Sequence, residues 1–258
     1  MFFLLSRRWL IFFVVVGLLA YGAWWLGQWQ FDRLQEKHRD NTRIQHNLAQ
    51  PPVPVDSLLK VGVQRNNSVE WRRVTIHGHW DDAHTLVVKY QTDDNGDPGV
   101  RVATPLITPS GAAVLVERGW MSSANNGDVR PSTPVPTSGQ VTVTGWVRES
   151  GTGDATVIAN ASTRALSAQA FAQWVGSGYP VYGNTVDMQI QTPAPAVTLG
   201  LVDMPDDTGD GPHFFYGLQW WFFGVLAIFG FFYLAFDERR RMLHARARAE
   251  AAPVTESV

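Results

Sequence analysis

The sequence predicts a mainly β domain inserted between two transmembrane α-helices. Two stretches near the ends of the chain each run for 23 residues without a charged side chain, and basic residues flank both. As a helix, 23 residues span roughly 34 Å, enough for a hydrocarbon core of about 30 Å. Between these stretches, apolar and polar residues alternate with a period of two, as in half-buried strands.

The first apolar stretch runs from Trp9 to Phe31 and follows Arg7 and Arg8. It is longer than the apolar part of a secretory signal, about 7 to 15 residues. We therefore predict a short cytoplasmic N-terminus (1–8) and a retained transmembrane helix (9–31). The chain then lacks Gly and Pro as far as Leu48, which predicts a helical stalk (32–50) ending before Pro51.

Residues 51–212 predict a β-rich domain, because short alternating segments follow one another with turn residues between them. In 73–80, for example, Val74, Ile76 and Trp80 fall on one face. A hairpin is predicted around residues 109–111 and a short helix at 167–175, with the serine at its N-cap and a glycine after it. This arrangement favours an antiparallel barrel or sandwich.

The second apolar stretch predicts a transmembrane helix at 213–236, followed by a basic tail at 237–258. Loops rich in Lys and Arg stay in the cytoplasm, so both termini are expected inside and residues 32–212 on the opposite side. The segment 203–212 is acidic and contains Gly and Pro, as expected of a connection between the two regions.

The start of the second helix carries a candidate ligand site. His213, Tyr216 and Trp220 have the spacing i, i+3, i+7, which makes one stripe of a helix, and Gln219 lies at its edge. Imidazole is a common axial ligand of heme iron, so His213 is a candidate metal ligand. Trp25 and Trp29, at the matching end of the first helix, are candidates to cover the ligand. The alternative is an interfacial belt of aromatic residues without a ligand.

Two weaker motifs occur in the β domain. Three histidines, at positions 77, 79 and 84, suggest a metal site but lack an evident fourth ligand. The acidic segment 93–97 resembles the start of a calcium loop, yet its glycine is misplaced and a hairpin turn explains it better. Glu117 and Arg118 end an apolar strand, where a structural pairing is the simpler explanation.

Several classes of protein are excluded or unsupported. Cysteine is absent, which excludes disulfides and thiolate chemistry. The net charge of −2 makes nucleic acid an unsuitable partner. Nucleophile elbows, phosphate loops, dinucleotide fingerprints and zinc-protease motifs are all missing from the sequence, so it predicts a protein that is not an enzyme.

Four segments together carry a family resemblance: LGQWQFDRLQEK (26–37), WRRVTIHGHWD (71–81), the strands between 102 and 150, and PHFFYGLQWWFF (212–223). In their order and in the two-helix layout, they resemble the surfeit locus protein 1 family, the assembly factors of heme-copper cytochrome c oxidase. There are two departures. Glu117 stands where the family usually has Asn, and residues 150–205 match only loosely.

The resemblance implies a non-enzymatic factor that helps to mature the oxidase catalytic subunit by handling heme a, with other assembly factors and membrane lipid as further partners. The resemblance also implies that His213 binds that heme. It further implies that the protein is located in the plasma membrane, or in the inner mitochondrial membrane of a eukaryote. Two other functions stay open: a ligand-free accessory subunit of a respiratory complex, and a membrane-anchored enzyme with its site on the β domain.

Overall fold

The computed structural model describes residues 2–202 and 212–250, which form two compact units. One unit consists of the chain up to residue 41 together with the chain from residue 207 onward, and the other of residues 42–206. The acidic connection predicted at 203–212 and the last eight residues of the basic tail fall almost entirely outside the described residues.

The helices match the expected pattern and extend beyond it. They are α1 (Arg7–Ala49), α2 (Val55–Leu58), α3 (Ala168–Val175) and α4 (His213–Glu250). The first predicted membrane segment and the stalk form the single 43-residue helix α1, which ends two residues before Pro51. The second helix continues past 236, where Asp237 and Arg241 form an i,i+4 ion pair of 2.9 Å.

Both terminal helices are long and apolar enough to cross a membrane. Most large apolar side chains in their central parts are exposed, including Leu18 and Phe229, whose exposed fractions are both 66%. A water-soluble protein rarely exposes so much contiguous apolar surface. This distribution fits a membrane location of the two helices.

The two helices pack antiparallel along a seam of small residues. Ala20 and Ala23 of α1 face Gly224 of α4, and Gly27 faces Gly217. A Cβ added at Gly27 would overlap the indole of Trp221, and one added at Gly217 would lie 2.8 Å from the ring of Phe31. Small residues allow two helix backbones to approach closely in a membrane.

Eight strands form the sheet of the second unit. They are β1 (Val53–Pro54), β2 (Arg73–Trp80), β3 (Leu86–Thr92), β4 (Pro98–Ile107), β5 (Ala113–Ser122), β6 (Gln140–Arg148), β7 (Ser162–Thr163) and β8 (Thr185–Thr192). Their order is β1-β2-β6-β8-β5-β4-β3-β7, and β2 also pairs with β4. The extra pairing closes β2, β6, β8, β5 and β4 into a small barrel.

The barrel interior is the main core, as the alternating pattern predicts. Val74, Ile76 and Trp80 of β2 point into it, where they join valines of the other strands and Met188. A second core lies outside the barrel, where Phe171 of α3 is fully buried against Leu86 and Leu115.

The expected mainly β fold between two terminal helices is confirmed, and the barrel is the form that it takes. The helix at 167–175 is also confirmed: Ser167 accepts a hydrogen bond from the Ala170 amide, and Gly176 follows with φ 66°. Three pairings depart from the antiparallel expectation: β1 with β2, β3 with β7, and β5 with β8 all run parallel. The last of these places Glu117 opposite Asp187.

Candidate functional site on the helix pair

His213 is the first residue of α4, and its imidazole contacts the other helix of the pair. Its Nδ1 lies 2.8 Å from Oε1 of Gln30 in α1. Both side chains are half-buried. Gln30 lies one turn after Gly27, where the two backbones approach closely, so a glutamine is long enough to reach the ring.

The partner atom determines which ring nitrogen carries the proton. A carbonyl oxygen accepts hydrogen bonds, so Nδ1 of His213 donates its N–H to Gln30. In a neutral imidazole, the other nitrogen, Nε2, then has a free lone pair. Within residues 2–202 and 212–250, Nε2 has no hydrogen-bond partner, and a lone pair in this state is what a metal ion binds.

The structure separates the other predicted site residues into two groups. Trp220 is half-buried and lies on the seam side with His213. The centroid of its ring is 6.0 Å from that of Phe223. Tyr216 and Gln219 are exposed on the outer surface of α4.

The two candidate tryptophans of α1, Trp25 and Trp29, do not belong to the seam. Trp25 and Trp29 are both exposed, one helical turn apart. Trp29 has the guanidinium of Arg33 over its ring, with the Cζ 5.8 Å from the ring centroid. They lie on the outside of the helix pair, where each presents a flat apolar ring.

Sequence reasoning missed Gln30. Its signal was a polar amide within a 23-residue apolar stretch, and polar residues at such positions are few and commonly pair with another polar group. Its partner is 183 residues away in the chain, however, and the register of two helices cannot be read from either helix alone.

The three histidines of the β domain belong to the other compact unit. His77 and His79 are exposed on the outer face of β2, and Nδ1 of His77 is 2.9 Å from Oγ1 of Thr142. His84 instead pairs with Asp81, with 2.6 Å between Nδ1 and Oδ2. Among the residues that the structure describes, no group of three or more potential metal ligands occurs.

A second polar cluster, which the sequence did not predict, is buried in the wall of the barrel. Arg101 donates to Glu117 at 3.2 Å, and Arg148 donates to Asp187 at 3.2 Å and to Glu70 at 3.3 Å. Glu117 and Asp187 are almost fully buried and lie on the floor of an open cleft of about 290 Å³.

Burial determines how this cluster titrates. Desolvation, together with the neighbouring charge of Asp187, raises the pKa of Glu117 to about 8, although Arg101 opposes the shift. Desolvation also raises the pKa of Asp187 to about 6, against the influence of Arg148. The buried carboxyls of the cluster therefore keep a proton to a higher pH than exposed carboxyls do, while the guanidiniums favour the ionised forms.

Comparison with known proteins gives consistent matches. The model of the SURF1 family matches residues 17–225. An uncharacterised SURF1-like protein of Mycobacterium tuberculosis is 28% identical over 253 residues, which cover 96% of this chain and 90% of that protein. A SURF1-like protein of Rickettsia bellii is 27% identical over 48% of this chain and 46% of its own length. The cytochrome oxidase assembly protein SHY1 of Saccharomyces cerevisiae is 29% identical over 42% of this chain and 28% of its own length.

Proposed function

The chain belongs to the SURF1 family, and from this we propose that it is a membrane-integrated assembly factor for cytochrome oxidase that holds heme a through His213. Family membership and the similarity to the yeast assembly protein support the role in oxidase assembly. The proposed partners are the oxidase catalytic subunit, other assembly factors and membrane lipid. The role is one of binding and transfer, without catalysis.

The observation that carries the heme proposal is the state of His213. Its ring is half-buried at the start of α4, and Nδ1 donates a hydrogen bond to Gln30. Among the described residues, the Nε2 lone pair has no partner. In a histidine that binds a metal ion, one ring nitrogen likewise offers its lone pair while the other donates to a carbonyl or carboxylate oxygen. Heme, when bound, would supply an iron for this nitrogen and a large apolar surface for the neighbouring aromatic side chains.

The surrounding side chains suit such a plane. Tyr216 and Trp220 lie one and two turns further along α4 from His213, and each offers an aromatic ring. Binding sites for flat apolar ligands are lined mainly by aromatic and aliphatic groups, with a few polar atoms that orient the ligand. Trp25 and Trp29 are further candidates to cover the macrocycle.

We propose that both helices span the membrane with both termini in the cytoplasm. In a bacterium this is the plasma membrane, and in a eukaryote the inner mitochondrial membrane. The arginines that flank the helices support this orientation. Reporter fusions after Arg8 and after Arg241 are expected to report cytoplasm, and one at Asn126 the opposite side. A cytoplasmic signal at Asn126 would overturn the topology.

The heme proposal is tested by the absorption spectrum of the protein purified from cells that make heme a. His213→Ala removes the iron ligand and leaves the apolar surroundings, so heme retention is expected to fall sharply while membrane insertion persists. His77→Ala, an exposed histidine of the β domain, is the matched control and should retain heme as the wild type does. Oxidase with its full heme complement should decrease only in the first variant.

The result also separates the alternative functions. Wild-type protein without heme, together with normal oxidase in the His213→Ala strain, would favour a ligand-free accessory subunit. Heme loss without an oxidase defect would leave a heme protein outside this assembly step.

A further inference from the structure

We propose that Gln30 is a positioning residue for His213, which holds the imidazole in the Nδ1–H tautomer and directs Nε2 at the ligand. The inference rests on the proposed function for its ligand. Gln30 lies on α1, whereas His213 lies on α4, and their interaction can be measured without any ligand bound. The proposal is based on the distance of 2.8 Å between Nδ1 of His213 and Oε1 of Gln30.

The position of His213 explains why a partner is needed. It is the first residue of α4, so no earlier turn of this helix lies beside its ring. In the middle of a helix, the turn before a residue restricts its side-chain rotamers. Here the contact from α1 supplies the restriction. Without it, the imidazole is free to rotate and to exchange its proton between the two nitrogens.

The packing of the helix pair places Gln30 within reach. Gly27 and Gly217 allow the two backbones to approach each other, and the ring of Phe31 packs on Gly217. The centroid of the Phe31 ring also lies 4.9 Å from that of Trp221. The amide of Gln30 therefore extends from a well-packed stretch of α1. Both side chains of the hydrogen bond are half-buried, and the bond favours the tautomer that carries the proton on Nδ1.

The chemistry follows the usual arrangement of metal-binding histidines. The ring nitrogen that does not bind the metal commonly donates to a carbonyl or carboxylate, which fixes the tautomer and increases the basicity of the ligating nitrogen. Loss of such a partner typically weakens metal binding about 10- to 100-fold. Gln30 supplies a neutral acceptor of this kind.

The experiment uses the full chain in lipid nanodiscs with ¹⁵N-labelled histidine. The His213 signals are those lost in His213→Ala. Without heme, at a pH where imidazole is neutral, wild-type protein is expected to be protonated at Nδ1. Gln30→Leu, which has similar bulk but no acceptor, should shift the proton toward Nε2. Gln28→Leu, an exposed glutamine two residues earlier, is the control and should not change the spectrum.

The second measurement uses heme a added to the same samples. Gln30→Leu should bind it about 10- to 100-fold more weakly than wild type. Gln30→Glu places a carboxylate opposite Nδ1, which makes the imidazole a stronger electron donor and should lower the midpoint potential of the bound iron below the wild-type value. A purely structural role for Gln30 would not order the potential in this way.

The outcomes separate the two proposals. An unchanged tautomer in Gln30→Leu, or equal heme affinity and potential in all three glutamine variants, would overturn the role of Gln30 while leaving His213 as the ligand. If wild-type protein binds no heme but its tautomer still responds to Gln30→Leu, then the proposed function is wrong, and the control of the ring by Gln30 is supported.

Discussion

Glu117 and Asp187 lie opposite each other on the parallel strands β5 and β8, with both carboxyl groups buried. Two neighbouring carboxylates in a poorly hydrated site cannot both ionise without cost. Arg101 and Arg148 reduce this cost, each through one ion pair. One wall of the barrel therefore holds two carboxyl groups and the two guanidinium groups that pair with them.

The stability of the β domain is expected to fall as the pH rises from about 4.5 to about 8. The folded state binds more protons than the unfolded state in this range, because the pKa of Glu117 is raised from 4.5 to about 8 and that of Asp187 from 3.8 to about 6. Each proton involved contributes a slope of at most about 1.4 kcal/mol per pH unit. Urea unfolding of the full chain at several pH values, followed by near-ultraviolet circular dichroism, measures the slope. A flat profile would contradict the titration of this cluster.

Glu117→Gln is expected to stabilise the domain at pH 8 and above and to flatten this pH dependence. Glutamine keeps a carbonyl oxygen that accepts from Arg101 and removes the charge whose burial is unfavourable. Glu149→Gln, on an exposed residue of the same cleft, is the matched control and should leave the profile as in wild type. A loss of stability at pH 8 and above in Glu117→Gln would show that the ionised form is the stabilising one.

Arg148→Met is expected to destabilise the domain by about 3 kcal/mol, since it leaves the buried carboxyl of Asp187 without its guanidinium partner. The same guanidinium lies 4.0 Å from the ring centroid of Trp71 and pairs with Glu70, so both contacts are lost as well. Arg164→Met, on an exposed arginine beside the same cleft, should change the stability by no more than about 0.5 kcal/mol. Equal effects of the two substitutions would rule out a special role for Arg148.

Gly27→Ala is expected to separate the two terminal helices locally and to break the contact between Gln30 and His213. An added Cβ would meet the indole of Trp221 and lie 3.2 Å from the Gly217 carbonyl oxygen, which cannot move without shifting α4. Gly22→Ala is the control, because nothing lies within 4 Å of a Cβ there. Disulfide trapping between cysteines introduced along the seam measures the separation, and similar trapping yields in both variants would refute the expectation.

Asn47→Ala is expected to cost about 1–3 kcal/mol of stability. The buried Asn47 side chain donates to the carbonyl oxygens of Ser68 and Glu70, at 2.9 and 2.8 Å, and its removal leaves both acceptors short of a donor. Asn47→Asp should cost more, because a carboxylate repels these oxygens. Chemical denaturation compares both variants with wild type, and the reverse order would contradict this reading of the contact.

Local patterns predicted the elements of this protein well. The alternation in 73–80 gave the correct inward face of β2, and Pro51 marked the end of α1 within two residues. These features depend on neighbours in the chain. The interactions that define the sites do not: Gln30 and His213 meet through helix register, and Glu117 and Asp187 meet through a parallel pairing. Neither arrangement has a local signature.

The glycine seam has a consequence for the route of a bound molecule. Ala23, Gly27, Gly217 and Gly224 close the space between the two helices, so a macrocycle cannot enter there. Any flat ligand of His213 would therefore rest on the outer surface of the pair. With the helices in the membrane as proposed, one edge of the ligand would face the acyl chains, and release would be a sideways displacement within the plane of the bilayer. A protein that docks against this outer surface of the helix pair could then receive the ligand without exposing it to water.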